Sequence, residues 1–245
     1  MSGAGIIQPI ETGTLTPWAA WRNVLMATIV GWIVIAIPNF GLLTYYLAKS
    51  MKNRLLRASL YLDLGFVASC IIVIGLVVLW QRAHGETLAN LGWRAPTSKA
   101  AIIWSLLFGG LWAATFYAAP GHLNFLAFPF ERFVMAPLGI VLAFAEELLF
   151  RGFVMEQLRR ALVPTWIQVL ASAISISSYH GLVGAHYYPT YAIASIFLFG
   201  ILAILHVYGK RSMTPNTLAH AMAHVFGDPS AIMGILIGAS RHLGS

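Results

Sequence analysis

Charge is scarce in this 245-residue chain: only 9% of residues are Asp, Glu, Lys or Arg, and just eight are acidic. So sparse a polar inventory cannot cover a soluble domain. A hydrophobic share of 59% and a mean hydropathy of +0.77 exclude one. Cysteine is nearly absent. The single Cys70 rules out an internal disulfide and says little about compartment, since it lies in an apolar segment. The two-residue alternation of a membrane barrel is missing as well, which leaves helices as the means of crossing a bilayer. The N-terminal residues lack a short apolar core with a small-residue cleavage site, so the first hydrophobic segment is expected to be retained as a helix.

Long apolar runs are abundant. They cover roughly Trp21 to Ala48, Leu60 to Trp80, Ala100 to Ala119, Phe133 to Leu158, Trp166 to Leu182 and Tyr191 to Val207. Most reach the ~20 residues that span a ~30 Å hydrocarbon core. Asn216 to Phe226 and Ala231 to Ala239 are shorter, and read as a broken span, re-entrant pieces or one helical hairpin. The expected fold is all-α: a polytopic helical membrane protein of about 6–8 transmembrane helices, with its site inside the bundle. The net charge of +7 does not indicate nucleic acid, because the basic residues flank apolar segments: Lys49, Lys52, Arg54 and Arg57, then Arg159 and Arg160, then Lys210 and Arg211. That distribution suits helix ends and anionic lipid. The positive-inside count is nearly balanced and fixes no orientation.

Along the chain, residues 1–18 read as a disordered or interfacial tail, and 19–99 as two transmembrane helices with a polar connection. Residues 100–245 read as one membrane domain. Pro38 should kink or interrupt the first helix. Asn124 to Arg132, rich in Phe and Pro, reads as interfacial. Thr214-Pro215 is expected to start a helix, with a capping hydroxyl before a proline, and Asp228-Pro229 to stop it.

The chemistry concentrates in the second half. Ala145-Glu146-Glu147-Leu148-Leu149-Phe150-Arg151-Gly152 sets two adjacent carboxylates and a guanidinium in an apolar run. An ionisable group at membrane depth costs about 3 kcal/mol on insertion scales and points to function. Glu147 and Arg151, four apart, share a helix face and read on their own as a structural ion pair. Glu146 is rotated about 100° away and has no partner in its own helix. His180 ends the serine-rich stretch Ser172 to His180, and His220 and His224 share one face of the short helix after Pro215. These carboxylates and imidazoles, from three helices, suit water activation, either by a glutamate base with histidine donors or by a metal. Alone, His180 reads as a packed or interfacial histidine, whereas the His220/His224 pair reads as functional more readily than as interfacial. His186, His206, Asp63 and Glu156 read as groups near helix ends or interfaces, with Glu156, Arg159 and Arg160 forming an interfacial charge cluster.

In this order the residues resemble the CAAX protease and bacteriocin-processing (CPBP, or Abi) family of intramembrane glutamate proteases, which includes the CAAX prenyl endopeptidase. The first motif, two glutamates, three residues and arginine, is complete as Glu146 to Arg151. The second, an aromatic residue, three residues and histidine, is Ile176 to His180, with isoleucine in the aromatic position. The third, histidine, three residues and asparagine, is His220 to His224, with histidine in the asparagine position. Leu91-Gly92-Trp93 is similar to the family's lead-in, and the resemblance covers roughly residues 100–245, which makes that stretch a CPBP-like catalytic domain.

The resemblance implies that Glu146 with His180 activates a water for attack on a peptide carbonyl. His220 and His224 would donate to the oxyanion, and Glu147 and Arg151 would fix the geometry. The expected function is an intramembrane endopeptidase acting on a lipidated or membrane-embedded peptide, in a multi-pass protein of a bacterial inner membrane. No cofactor is obligatory. A zinc-dependent version would draw on Glu146, His180, His220 and His224. Two other classes remain open: an enzyme of the same fold acting on an isoprenoid or other lipid-like molecule, and a non-enzymatic scaffold or immunity protein.

Overall fold

The structure, a computed structural model, describes residues 14–51, 53–96, 98–118, 129–186, 189–228 and 230–242. Residues 1–13 of the expected tail, Lys52, residues 124–128 of the segment read as interfacial, Pro229 and the side chain of His186 lie outside the described residues.

Among the described residues there are eight long helices, one short 3-10 helix at Leu88–Leu91 and no strand; the long helices are α1 (Pro17–Ser50), α2 (Leu55–Ala83), α3 (Lys99–Ala118), α4 (Phe130–Arg160), α5 (Thr165–His186), α6 (Pro189–Tyr208), α7 (Thr214–Gly227) and α8 (Ser230–His242). α1, α2 and α4 are long and apolar enough to cross a membrane. α7 and α8, bent by 65° at their junction, together pass as a fourth span, and Lys99–Thr115 and Ile193–Tyr208 are shorter apolar helices. The all-α reading of the sequence holds, and the protein is an integral membrane protein. The two short segments prove to be two helices with a sharp bend between them.

α1 starts where Thr16 accepts the Ala19 amide at 3.3 Å with Pro17 in the first turn. It continues through Pro38, and the interruption expected there is a change of helix type. The backbone widens to a π-helix over Gly31–Leu43, which relieves the clash of the proline ring with the preceding turn. Side chains re-engage the freed carbonyls: Asn39 donates to the Ile35 carbonyl at 2.8 Å and to Ser69 of α2 at 2.9 Å, and Thr44 donates to the Asn39 carbonyl at 2.7 Å.

α4 carries a second π segment, Leu148–Val154, immediately after the two glutamates. Ser172 of α5 donates to the Phe150 carbonyl at 2.9 Å, so the serine-rich face of α5 is used to bond this widened turn. Gly152 permits a close approach here: a Cβ at this position would meet the Leu91 carbonyl oxygen at 3.1 Å. Gly92 adopts φ +91°, and a side chain there would collide with the Arg211 carbonyl at 2.1 Å. The Leu91-Gly92-Trp93 segment is thereby wedged between α4 and the α6–α7 turn.

α3, α4 and α6 pack around α7, while α5 packs on α6 and on α1. α7 begins at Thr214 with Pro215 in its first turn, as expected. The Thr214 hydroxyl does not cap it; instead Ser212 Oγ accepts the Thr214 amide at 3.3 Å. Of the residues read as near helix ends or interfaces, Asp63 within α2, His206 near the end of α6 and Glu156 near the end of α4 are buried.

Candidate active site

α4, α5, α6 and α7 bring the motif residues to one place inside the bundle. The two glutamates differ sharply in what surrounds them. Glu147 is fully buried and saturated. Arg151 Nη1 lies 3.2 Å from its Oε1, His220 Nδ1 lies 2.8 Å from the same oxygen, and Asn216 Nδ2 donates to Oε2 at 2.6 Å. Arg151 is itself fully buried, donates through Nη2 to the Phe199 carbonyl at 2.9 Å, and sits 5.2 Å from the Phe199 ring centroid. Glu147 thus ties α4 to α7, and Arg151 ties α4 to α6.

Glu146 is 4% exposed and only half bonded. Its Oε1 accepts a short hydrogen bond from the Tyr179 hydroxyl of α5. Its Oε2 accepts no hydrogen bond from the described residues and lies 3.6 Å from His220 Nε2. A buried carboxylate oxygen without a donor is costly, and sites of chemistry are where such costs persist.

His220 therefore bridges the glutamates, Nδ1 toward Glu147 and Nε2 toward Glu146. Its ring stacks on Trp112 of α3 at 5.3 Å between centroids and 15° between planes, and meets Phe199 edge-on at 5.6 Å. His180 has Nδ1 3.0 Å from the Ile176 carbonyl, the geometry of an Nδ1–H donor. Its ring stacks on Tyr179 at 4.5 Å and packs against Phe199 at 4.7 Å. Phe199 thus packs against both the His180 and the His220 rings. The Ile176 departure from an aromatic residue leaves the backbone contact to His180 in place. His224 lies one turn beyond His220, with ring centroids 5.1 Å apart and Nδ1 3.0 Å from Asp228 Oδ2.

All six candidate residues lie in this region. Among the described residues, no group of three or more His, Cys, Asp or Glu side chains is arranged to hold a metal ion, so Glu146, His180, His220 and His224 do not assemble into a ligand set in this geometry. Tyr179, Asn216 and Trp112 are not among the residues expected at the site, and Asp228 was expected only to stop a helix. For two of them a signal was present: Asn216, His220, His224 and Asp228 recur every four residues, a polar stripe along α7.

The fold and site define a membrane-embedded helical bundle with a buried carboxylate–imidazole centre. Residues 128–226, which contain all three motifs, match the family model described as Rce1-like, type II CAAX prenyl endopeptidase. That match agrees with the resemblance the motifs carry and supports a CAAX-type membrane protease at family level. No curated protein and no solved structure matches the chain.

Proposed function

We propose that the protein is an intramembrane endopeptidase that hydrolyses a peptide bond of a membrane-associated, prenylated peptide, with Glu146 as general base. The observation that carries this reading is the asymmetry of the glutamates. Glu147 has every oxygen engaged, whereas Glu146 keeps Oε2 without a donor, 3.6 Å from an imidazole nitrogen.

In this mechanism Glu146 Oε2 takes a proton from water. The Nδ1–H of His180 is committed to the Ile176 carbonyl, so the neutral ring offers Nε2 as acceptor for the water's other hydrogen. The water oxygen attacks the carbonyl carbon, and the carbonyl electron pair becomes an oxyanion. His220 and His224 donate to that oxygen, a kind of contact worth about 3 kcal/mol for each donor. The carbonyl re-forms as the C–N bond breaks, and the proton held by Glu146 passes to the leaving amine. Tyr179 occupies Oε1 and so keeps Oε2 as the reacting oxygen. Glu147, Arg151 and Asn216 hold α4, α6 and α7 in register.

The test is cleavage of a farnesylated peptide with a C-terminal CAAX sequence by the purified protein in detergent, followed by mass spectrometry. Wild type should release the terminal tripeptide and Glu146→Gln should not. Equal cleavage by both would remove the assignment. Cleavage of an unprenylated peptide at the same rate would remove the substrate class.

A further inference from the structure

The polar stripe of α7 extends beyond the groups used above. Its last member, Asp228, is 3% exposed and holds His224 Nδ1 at 3.0 Å, and His224 stands where the family's third motif has asparagine. We infer that Asp228 is a positioning residue that lets His224 serve in place of that amide: its carboxylate takes the Nδ1–H and balances the ring's charge, so that Nε2–H is presented as a fixed donor to the oxyanion. This rests on the protease reading.

The need for such a partner follows from the chemistry of the ring. An amide NH2 donates in its only form. A neutral imidazole has one N–H, and here that proton is committed to Asp228. Donation from Nε2 requires the doubly protonated ring, which needs a counter-charge in an apolar bundle.

The surroundings hold Asp228 in place. Arg132 of α4 donates to the Phe226 carbonyl at 3.0 Å, to the Asp228 carbonyl at 2.9 Å and to Ser230 Oγ at 2.9 Å, clamping the α7–α8 bend onto α4. A Cβ at Gly139 would meet His224 Cβ at 2.5 Å and Asp228 Oδ2 at 3.5 Å, so glycine is what lets α4 come this close. Gly139 lies seven residues before Glu146, two turns along the same face of α4. Asp63 of α2 is fully buried, neither of its oxygens is hydrogen-bonded by a described residue, and it is within electrostatic reach of Asp228 and His224. The charged or titratable groups around His224 include Asp63 from α2, Glu146 and Arg132 from α4, His180 from α5, His220 from α7 and Asp228 just after it. Of the acidic groups, Asp228 is the one in hydrogen-bond contact with the ring.

A purely structural alternative exists, since Asp228 N–H also donates to the His224 carbonyl at 2.9 Å and the pair could simply lock the helix end. A double-variant experiment on the full chain with the farnesylated reporter separates the two. Asp228→Asn should lower kcat about 30-fold with little change in KM, and His224→Asn should lower it about fivefold. In the His224→Asn background, Asp228→Asn should then change kcat less than about twofold, because the ring through which Asp228 acts is gone. Wild type should lose kcat at alkaline pH more steeply than His224→Asn does. Imidazole 15N NMR should show His224 protonated at Nδ1, with that signal moved by Asp228→Asn.

An undiminished Asp228→Asn loss in the His224→Asn background would overturn the positioning role, as would identical pH profiles or a bare Nδ1. Wild type failing to cut the reporter, or Glu146→Gln cutting it normally, would instead overturn the protease reading, and this inference with it.

Discussion

One helix, α4, carries two clusters of buried charge, and they are built on opposite plans. At its end, Glu156 accepts from Arg159 Nε and Nη2 at 2.7 Å each and from Arg160 Nε at 3.0 Å. Arg160 also grips Glu86 from the α2–α3 connection through both terminal nitrogens. Each carboxylate there faces guanidinium groups, and there is no histidine in the cluster. In the middle of α4, Glu147 and Arg151 form a comparable lock, but Glu146 beside them keeps one oxygen without a donor and faces imidazoles and a phenol. Burial alone does not mark a site. An unpaired oxygen among groups that can exchange protons does.

Breaking the lock should have the largest effect. Arg151→Ala leaves Glu147 buried without its cation and should cost about 3–5 kcal/mol of stability, read as a large fall in unfolding temperature in detergent. A midpoint close to wild type would mean that the pair does not hold α4 to α6 and α7. Tyr179→Phe is smaller and falls on activity. It removes the donor to Glu146 Oε1, and a hydrogen bond to a charged group is worth about 1.5 kcal/mol or more, roughly tenfold in kcat. Unchanged kcat would show that the phenol does nothing for the base. Glu156→Gln should be smallest, with reporter cleavage within about twofold of wild type and about 1–2 kcal/mol lost in stability. A tenfold loss of cleavage there would erase the distinction between the two clusters.

Much of the centre was legible because charge is so rare in this chain. Glu146, Glu147, Arg151 and three histidines stand out against an apolar background, and four-residue spacing predicted the Glu147–Arg151 pair that forms at 3.2 Å. Asn216 and Asp228 were legible by the same rule, yet each was masked by a local role, one beside a helix start and the other beside a helix stop. Tyr179 was not legible, since its partner is 33 residues away and is met only through the packing of α4 on α5. The Glu156, Arg159 and Arg160 cluster forms as the spacing implied, but its fourth member, Glu86, was not legible because it is 74 residues from Arg160. Asp63 looked interfacial because only the fold covers it. Pro38 was expected to kink or interrupt the first helix, and the interruption takes the form of a π segment whose carbonyls Asn39 and Thr44 re-bond, a tertiary and local rescue that no single residue announces.

The division of labour between the adjacent glutamates is tested most directly by measuring cleavage and thermal unfolding side by side for Glu146→Gln and Glu147→Gln. The expected result is that Glu146→Gln unfolds like wild type and leaves the farnesylated reporter intact, a loss of about 10³-fold or more, while Glu147→Gln unfolds at a clearly lower temperature. A Glu146→Gln protein that cleaves at the wild-type rate, or a Glu147→Gln protein as stable as wild type, would contradict it.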